Sequence, residues 1–117
     1  MKVRQIIDIL EAELLCGEEN LDMDILSACG SDLMSDVMAY VKENVLLLTG
    51  LVSPQVIRTA EMMDIKAVAF VRGKKLPDSI VDLAREKGIT VIRTSNSMFI
   101  SCGKLYSQGI TGKGVWE

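Results

Sequence analysis

From Val45 onward, the chain alternates between short apolar segments and segments with helical spacing. The apolar segments are VLLLT, KAVAFV and ITVIRT, and their continuous apolar character is typical of strands that helices cover on both faces. Successive parallel strands need a crossover segment between them, and such crossovers are right-handed. The alternation therefore predicts an α/β fold with three layers, α/β/α, around a mostly parallel sheet of about four or five strands.

The two helices between these strands have clear boundaries. Ser53 is a natural N-cap, and Pro54 suits the first helical position because its missing N–H would have no partner there. The next helix, LPDSIVDLAREKG, is predicted to begin at Pro77 and to stop at Gly88. Ile89 would then supply the apolar contact of a Schellman-type end.

Weaker patterns predict the remaining elements. Apolar residues with helical spacing predict a first helix over VRQIIDIL, and AELLCG and DILSACG are predicted strands. The segment SDLMSDVMAYVKEN is a predicted helix that Ser31 or Asp32 caps. A final helix is predicted over SNSMFISCGKLYSQG, and its expected apolar face consists of Met98, Phe99, Cys102, Leu105 and Tyr106.

Length and composition limit the classes of protein that fit. The sequence predicts one domain over residues 1–117, with a tail over residues 111–117 that is expected to fray. The formal net charge is −3 and only 4% of the residues are aromatic, so no nucleic-acid partner is expected. No apolar run is long enough to span a membrane, so no membrane partner is expected. The first residues lack the features of a signal peptide, which predicts a cytoplasmic location.

The chain contains three cysteines and no histidine. The cysteines are widely spaced and form no CxxC pair, which favours reduced, mostly buried thiols over a zinc site. Without histidine there is no Ser–His or Cys–His nucleophile pair, and the sequence pairs no carboxylates at a reacting centre. We therefore expect a protein that is not an enzyme and that uses no metal or cofactor.

A candidate binding site follows from the predicted sheet. In open α/β sheets, ligands bind beyond the carboxyl ends of the strands. The residues at these ends offer hydroxyls, backbone N–H groups and an arginine, which suit a small anionic ligand. The candidate ligand-binding residues are Ser31, Asp32, Thr49, Gly50, Ser53, Arg72, Gly73, Thr94 and Ser95.

The same residues also have a purely structural interpretation. No GxxxxGK[ST] motif is present, and Thr49-Gly50 fits a tight turn from strand to helix. Capping explains Ser53, and Arg72 and the lysines after it fit a solvated loop. The residues alone leave both interpretations open.

Three longer stretches and the order of the elements match a known family. The stretches are ELLCGEENLD, SDLMSDVMAYVKENVLLLTG and AVAFVRGKKLPDSIVDLAREKGITVIRT. Over nearly the whole chain, from Val3 to Gln108, they resemble the DRTGG domain, which is similar in fold to the amino-terminal domain of HPr kinase/phosphorylase. The residues that name the family are mostly absent, because Leu51-Val52 stand in place of Asp-Arg and Arg72-Gly73-Lys74 in place of Thr-Gly-Gly.

The resemblance implies a stand-alone regulatory domain without catalytic activity. Domains of this family accompany CBS domains in regulated pyrophosphatases, and the similar domain of HPr kinase does not contain the kinase site. The resemblance also implies self-association, with a homodimer expected. The absence of the family's Asp-Arg pair and the Met-rich helices favour docking onto a partner enzyme or onto another copy of the chain. Two hypotheses follow: a dimeric sensor of a phosphate-bearing metabolite or nucleotide, and a structural protein–protein docking module with no small-molecule ligand.

Overall fold

The computed structural model describes residues 1–40 and 43–111. Within these residues the elements are α1 (Val3–Leu10), β1 (Glu13–Cys16), a 3₁₀ turn (Glu18–Asn20), β2 (Ser27–Gly30), α2 (Met34–Tyr40), β3 (Val45–Thr49), α3 (Pro54–Met62), β4 (Ala67–Phe70), α4 (Asp78–Glu86), β5 (Thr90–Arg93) and α5 (Met98–Ser107).

Two parts of the sequence prediction fall outside the described residues. Val41 and Lys42 belong to the segment predicted as the second helix, and residues 112–117 belong to the predicted tail. Thr111, the first residue of that tail, is described and forms a parallel bridge with Ser27. The predicted fraying of the tail therefore stays a prediction.

The five strands of the described chain form one sheet in the order β1-β5-β4-β3-β2. The pairs β2–β3, β3–β4 and β4–β5 are parallel, and β1 joins the edge of β5 in antiparallel orientation. This arrangement confirms the predicted mostly parallel sheet. It also brings the carboxyl ends of four parallel strands to one edge, which we call the carboxyl edge.

The register of the strands divides the core into two layers. Leu47, Val68 and Val91 are aligned across β3, β4 and β5, and they pack against α2, α3 and α4. Leu48 and Ala69 alternate with them and pack on the opposite face, against α1 and α5. Because the strands are apolar on both faces, both layers are buried, as the continuous apolar runs predicted.

The predicted boundaries of the central helices are confirmed. The Ser53 hydroxyl accepts a hydrogen bond from the backbone N–H of Gln55 at 3.2 Å. At the end of α4, Gly88 has a φ of +70°, and the N–H of Ile89 donates to the carbonyl of Ala84 at 2.9 Å. This is the hydrogen bond of a Schellman end, and it satisfies a carbonyl that would otherwise have no partner in the helix.

The predicted apolar face of α5 is wrong in two positions. Phe99 and Tyr106 are 82% and 68% exposed, whereas Ser101 is fully buried. Ser97 caps the helix, and Met98, Ser101 and Leu105, at i, i+3 and i+7, face the sheet. The two aromatic side chains therefore lie on the solvent face of α5.

Candidate functional site

Four of the predicted site residues meet at the carboxyl edge. The Asp32 carboxylate, two residues after β2, reaches across to the turn after β3. Its Oδ1 accepts hydrogen bonds from the backbone N–H of Gly50 at 2.6 Å and from the Thr49 hydroxyl at 3.2 Å. Its Oδ2 lies 3.6 Å from Nη2 of Arg72. The side chains of Asp32 and Arg72 are each about half exposed, so the cluster is open to solvent.

The cap of α2 was predicted to be Ser31 or Asp32, and both side chains have partners outside the helix. The Ser31 hydroxyl accepts a hydrogen bond from the backbone N–H of Leu33 at 3.0 Å, immediately before the helix. Asp32 instead directs its carboxylate to Gly50, because the N–H and hydroxyl donors after β3 lie within its reach.

Arg72 and Gly73 form the tight turn after β4. Their φ angles are +69° and +62°, a conformation that arginine adopts rarely because its Cβ crowds the backbone. Backbone hydrogen bonds hold the turn: the N–H of Arg72 donates to the carbonyl of Asn96, and that of Gly73 donates to Thr94, each at 2.8 Å. The guanidinium extends over Gly50, so closely that a Cβ added to Gly50 would collide with it.

Lys74 also contributes to the cluster, although it was not among the predicted site residues. Its Nζ donates to the carbonyl of Gly50 at 2.7 Å. Two cations from the turn after β4 therefore reach the same residue of the turn after β3. The only signal in the sequence was the position of Lys74 two residues after Arg72, which does not reveal the direction of its side chain.

The remaining predicted residues have other surroundings. Thr94 is buried, and its hydroxyl donates to the carbonyl of Leu10 at 2.7 Å and accepts from the N–H of Asn96 at 3.2 Å. Ser53 caps α3. These two hydroxyls have partners within the fold and do not converge with the Asp32 cluster.

Ser95 lies in a separate cleft on the β5 side of the carboxyl edge. The cleft has a volume of about 450 Å³ and is lined by Glu11, Glu13, Gly73, Lys75, Arg93 and Ser95. Arg93 donates to both carboxylate oxygens of Glu13, at 2.8 and 3.0 Å. The pair neutralises most of the charge that the arginine would offer to an anion.

The thiols of the described chain are poor nucleophiles. Burial raises the pKa of Cys16, Cys29 and Cys102, and only the thiolate reacts readily. Within residues 1–40 and 43–111, no group of three or more cysteine, aspartate or glutamate side chains is arranged to hold a metal ion. The chemistry that the carboxyl edge supports best is the binding of an anion.

No helix in the described part of the chain has both the length and the apolar character needed to cross a membrane.

Comparison with solved structures supports the fold. A similar structure is the crystal structure of the CBS and DRTGG domains of the regulatory region of Clostridium perfringens pyrophosphatase, complexed with the activator diadenosine tetraphosphate. The TM-score is 0.74 at 19% sequence identity, and the match covers 99% of this chain and 50% of that chain. At this identity the likeness establishes the fold alone, and the chain spans half the length of the solved one.

A search of curated proteins gives no match. The family model that matches is the DRTGG domain, over residues 5–105, and it indicates no catalytic family. Because this match covers most of the sequence, the resemblance seen in the sequence is confirmed, and the chain belongs to the DRTGG domain family.

Proposed function

We propose that this DRTGG domain is a non-catalytic regulatory domain that binds a phosphate-bearing metabolite or nucleotide at its carboxyl edge. The observation that carries the proposal is the convergence of Arg72 and Lys74 on Gly50. A guanidinium, an ammonium and a backbone N–H are the groups that recur in phosphate sites. A partner enzyme would be the target of the regulation.

The conformation of Arg72 supports a role in binding. A non-glycine residue in the left-handed region costs about 1 kcal/mol or more, and such strain is concentrated at functional sites. Glycine would remove the strain at this position, with its φ of +69°, but glycine has no guanidinium. Despite the strain, arginine at this position places a guanidinium over Gly50, which supports a function of its side chain.

The family and the solved structure support the choice of ligand class. The structure of similar fold belongs to the regulatory region of a pyrophosphatase and contains a nucleotide activator. The ligands to test first are therefore ATP, diadenosine tetraphosphate and inorganic pyrophosphate. The last of these carries phosphate groups without a nucleoside.

Isothermal titration calorimetry of wild type and Arg72→Ala tests the proposal. A charge-assisted hydrogen bond contributes about 1.5–3 kcal/mol, so the variant should bind at least about tenfold more weakly. Arg85→Ala is the matched control because Arg85 lies in the last turn of α4, at the opposite edge of the sheet. Equal affinity of wild type and Arg72→Ala, or no binding of any phosphate ligand by wild type, would contradict the proposal.

A second candidate function is self-association through α5, with a second copy of the chain as the partner. Phe99, Gly103 and Tyr106 lie at i, i+4 and i+7, on the solvent face of the helix. A Cβ added to Gly103 would meet no atom within 4 Å, so the glycine leaves a notch between the two aromatic side chains. Exposed aromatic residues are typical of interface cores, and a glycine allows a second backbone to approach closely.

Sedimentation velocity tests self-association. Wild type should sediment as a dimer at high concentration, and Phe99→Glu should sediment as a monomer because it places a charge in the apolar contact. Met62→Glu is the control, since Met62 is similarly exposed but lies on α3, on the other face of the sheet. A wild-type chain that stays monomeric would rule out this candidate and the homodimer predicted from the sequence.

A further inference from the structure

The Asp32 carboxylate occupies a position that is surrounded by hydrogen-bond donors. The N–H of Gly50, the Thr49 hydroxyl and the Arg72 guanidinium all face its two oxygens. The shortest of these contacts, 2.6 Å, has the length of a strong charge-assisted bond. The same donors would suit two oxygens of a phosphate group.

We propose that Asp32 is a built-in competitor of the ligand, so that a phosphate group binds at Gly50 by displacing the Asp32 carboxylate. This inference rests on the proposed function and adds how ligand binding at that site is regulated. The ligand would exchange one anion for another on the same donors. The connection between β2 and α2 would then move when the ligand binds.

The contacts around Asp32 allow this displacement. The N–H of Leu33 is bonded to the Ser31 hydroxyl, so α2 does not depend on Asp32 for that partner. The Thr49 hydroxyl also accepts from the N–H of Leu51 at 3.1 Å, so it stays positioned when the carboxylate leaves. The half-exposed Asp32 side chain has room in solvent to move into.

The displacement would reach the start of α2. Ser31 is anchored to the sheet, because its N–H donates to the carbonyl of Leu48 at 3.0 Å. Asp32 is the next residue, and Leu33, immediately before α2, is 58% exposed. Release of the carboxylate would therefore change the surface at Asp32 and Leu33, where a partner could detect it.

The test compares the affinity of wild type, Asp32→Asn and Asp32→Ala for inorganic pyrophosphate and for ATP. Asn keeps an acceptor for the Gly50 N–H but removes the negative charge. Both variants should bind pyrophosphate about tenfold or more tightly than wild type, because the ligand no longer competes with a charge-assisted bond. A gain with pyrophosphate assigns the competition to phosphate groups alone, and a gain limited to ATP adds a role for the nucleoside; both support displacement.

The control is Asp22→Asn. Asp22 precedes β2 and lies at the opposite edge, where a hydrogen bond from Arg4 at 2.7 Å lowers the pKa of its carboxyl. The same loss of one paired carboxylate there should leave the affinity for pyrophosphate unchanged. An equal gain in this control would mean that net charge alone explains the effect, and it would overturn the inference.

The failure of this inference can be told apart from the failure of the proposed function. If wild type binds pyrophosphate or ATP through Arg72 but the Asp32 variants bind neither ligand more tightly, displacement is wrong and the binding site stands. If neither wild type nor the Asp32 variants bind either ligand, both proposals are wrong.

Amide hydrogen exchange at Gly50 provides a readout that affinity does not. Asp32→Ala should expose the Gly50 N–H and speed its exchange, and saturating pyrophosphate should slow it again. If the Asp32 carboxylate only stabilises the fold, pyrophosphate should not slow the exchange of the Gly50 N–H in Asp32→Ala. Fast exchange that persists in the saturated variant would overturn the inference.

Discussion

Arg72 combines a strained backbone with a side chain that is about half exposed to solvent. Its φ is +69°, and the next residue, Gly73, has a φ of +62°. The turn is held by backbone hydrogen bonds that do not depend on which side chain is present. The strain of Arg72 and the contacts of its guanidinium can therefore be separated by mutation.

Arg72→Gly and Arg72→Ala separate them. Both variants lose the guanidinium, but only alanine keeps a Cβ in the left-handed region. We expect Arg72→Gly to be more stable than Arg72→Ala by about 1 kcal/mol, with pyrophosphate binding weakened equally in both. Urea unfolding and calorimetry measure the two effects. Equal stability of the two variants would mean that the turn relaxes and stores no strain.

Gly88 and Gly17 both have positive φ but differ in their surroundings. Alanine should therefore lower the free energy of unfolding by different amounts at the two positions. A Cβ at Gly88, with a φ of +70°, would meet no atom within 4 Å, so Gly88→Ala should cost only the backbone strain, about 1 kcal/mol. A Cβ at Gly17, with a φ of +91°, would collide with the backbone of Thr90 on the neighbouring strand. Gly17→Ala should therefore cost at least about 3 kcal/mol, since overpacking adds to the strain.

Urea unfolding of both variants measures this difference. Similar losses of unfolding free energy in the two variants would show that β1 shifts away from β5 and relieves the collision at Gly17. The sequence predicted the role of Gly88, because a helix end is a local pattern. It did not predict the constraint at Gly17, because the clashing residue, Thr90, is far away in the sequence.

Among the elements, α3 shows how far a local signal determines a boundary. Ser53 caps the helix through the N–H of Gln55, so Ser53→Ala should lower the free energy of unfolding by about 1 kcal/mol. Ser79→Ala is the control, because Ser79 is exposed within α4 and alanine is a good helix former. Thermal unfolding of the two variants measures the comparison. A cost as large in the control would assign the effect to loss of serine rather than to capping.

The elements that the sequence predicted well are those whose pattern is local. Strands β3 and β4 are buried on both faces, and short continuous apolar runs bounded by turn residues are typical of such strands. The apolar face of α5 was predicted wrongly because Phe99 and Tyr106 are apolar but lie out of phase with the buried residues. Their phase became visible only with the contacts between α5 and the sheet.

For the whole molecule, topology explains why the carboxyl edge was predicted and its pairing was not. Parallel strands necessarily bring their ends to one edge, so the sequence could identify Asp32, Thr49, Gly50 and Arg72 as neighbours. The direction of each side chain depends on the turns that follow the strands. The contact of Asp32 with Gly50, and that of Lys74 with the same residue, required the three-dimensional structure.

Self-association through α5 predicts that Gly103→Ala has opposite effects on stability and on dimerisation. In an isolated chain, Gly103→Ala should raise stability by about 0.5–1 kcal/mol, because alanine is the better helix former at an exposed position. If two copies pack through α5, the same methyl group fills the notch between Phe99 and Tyr106 and holds the helices apart. We therefore expect a variant that melts at a higher temperature when dilute but dimerises more weakly, and sedimentation equilibrium with thermal unfolding at two concentrations measures both. A variant that gains stability without any change in dimerisation would exclude α5 as the contact surface and direct the search to the exposed side chains of α2 and α3.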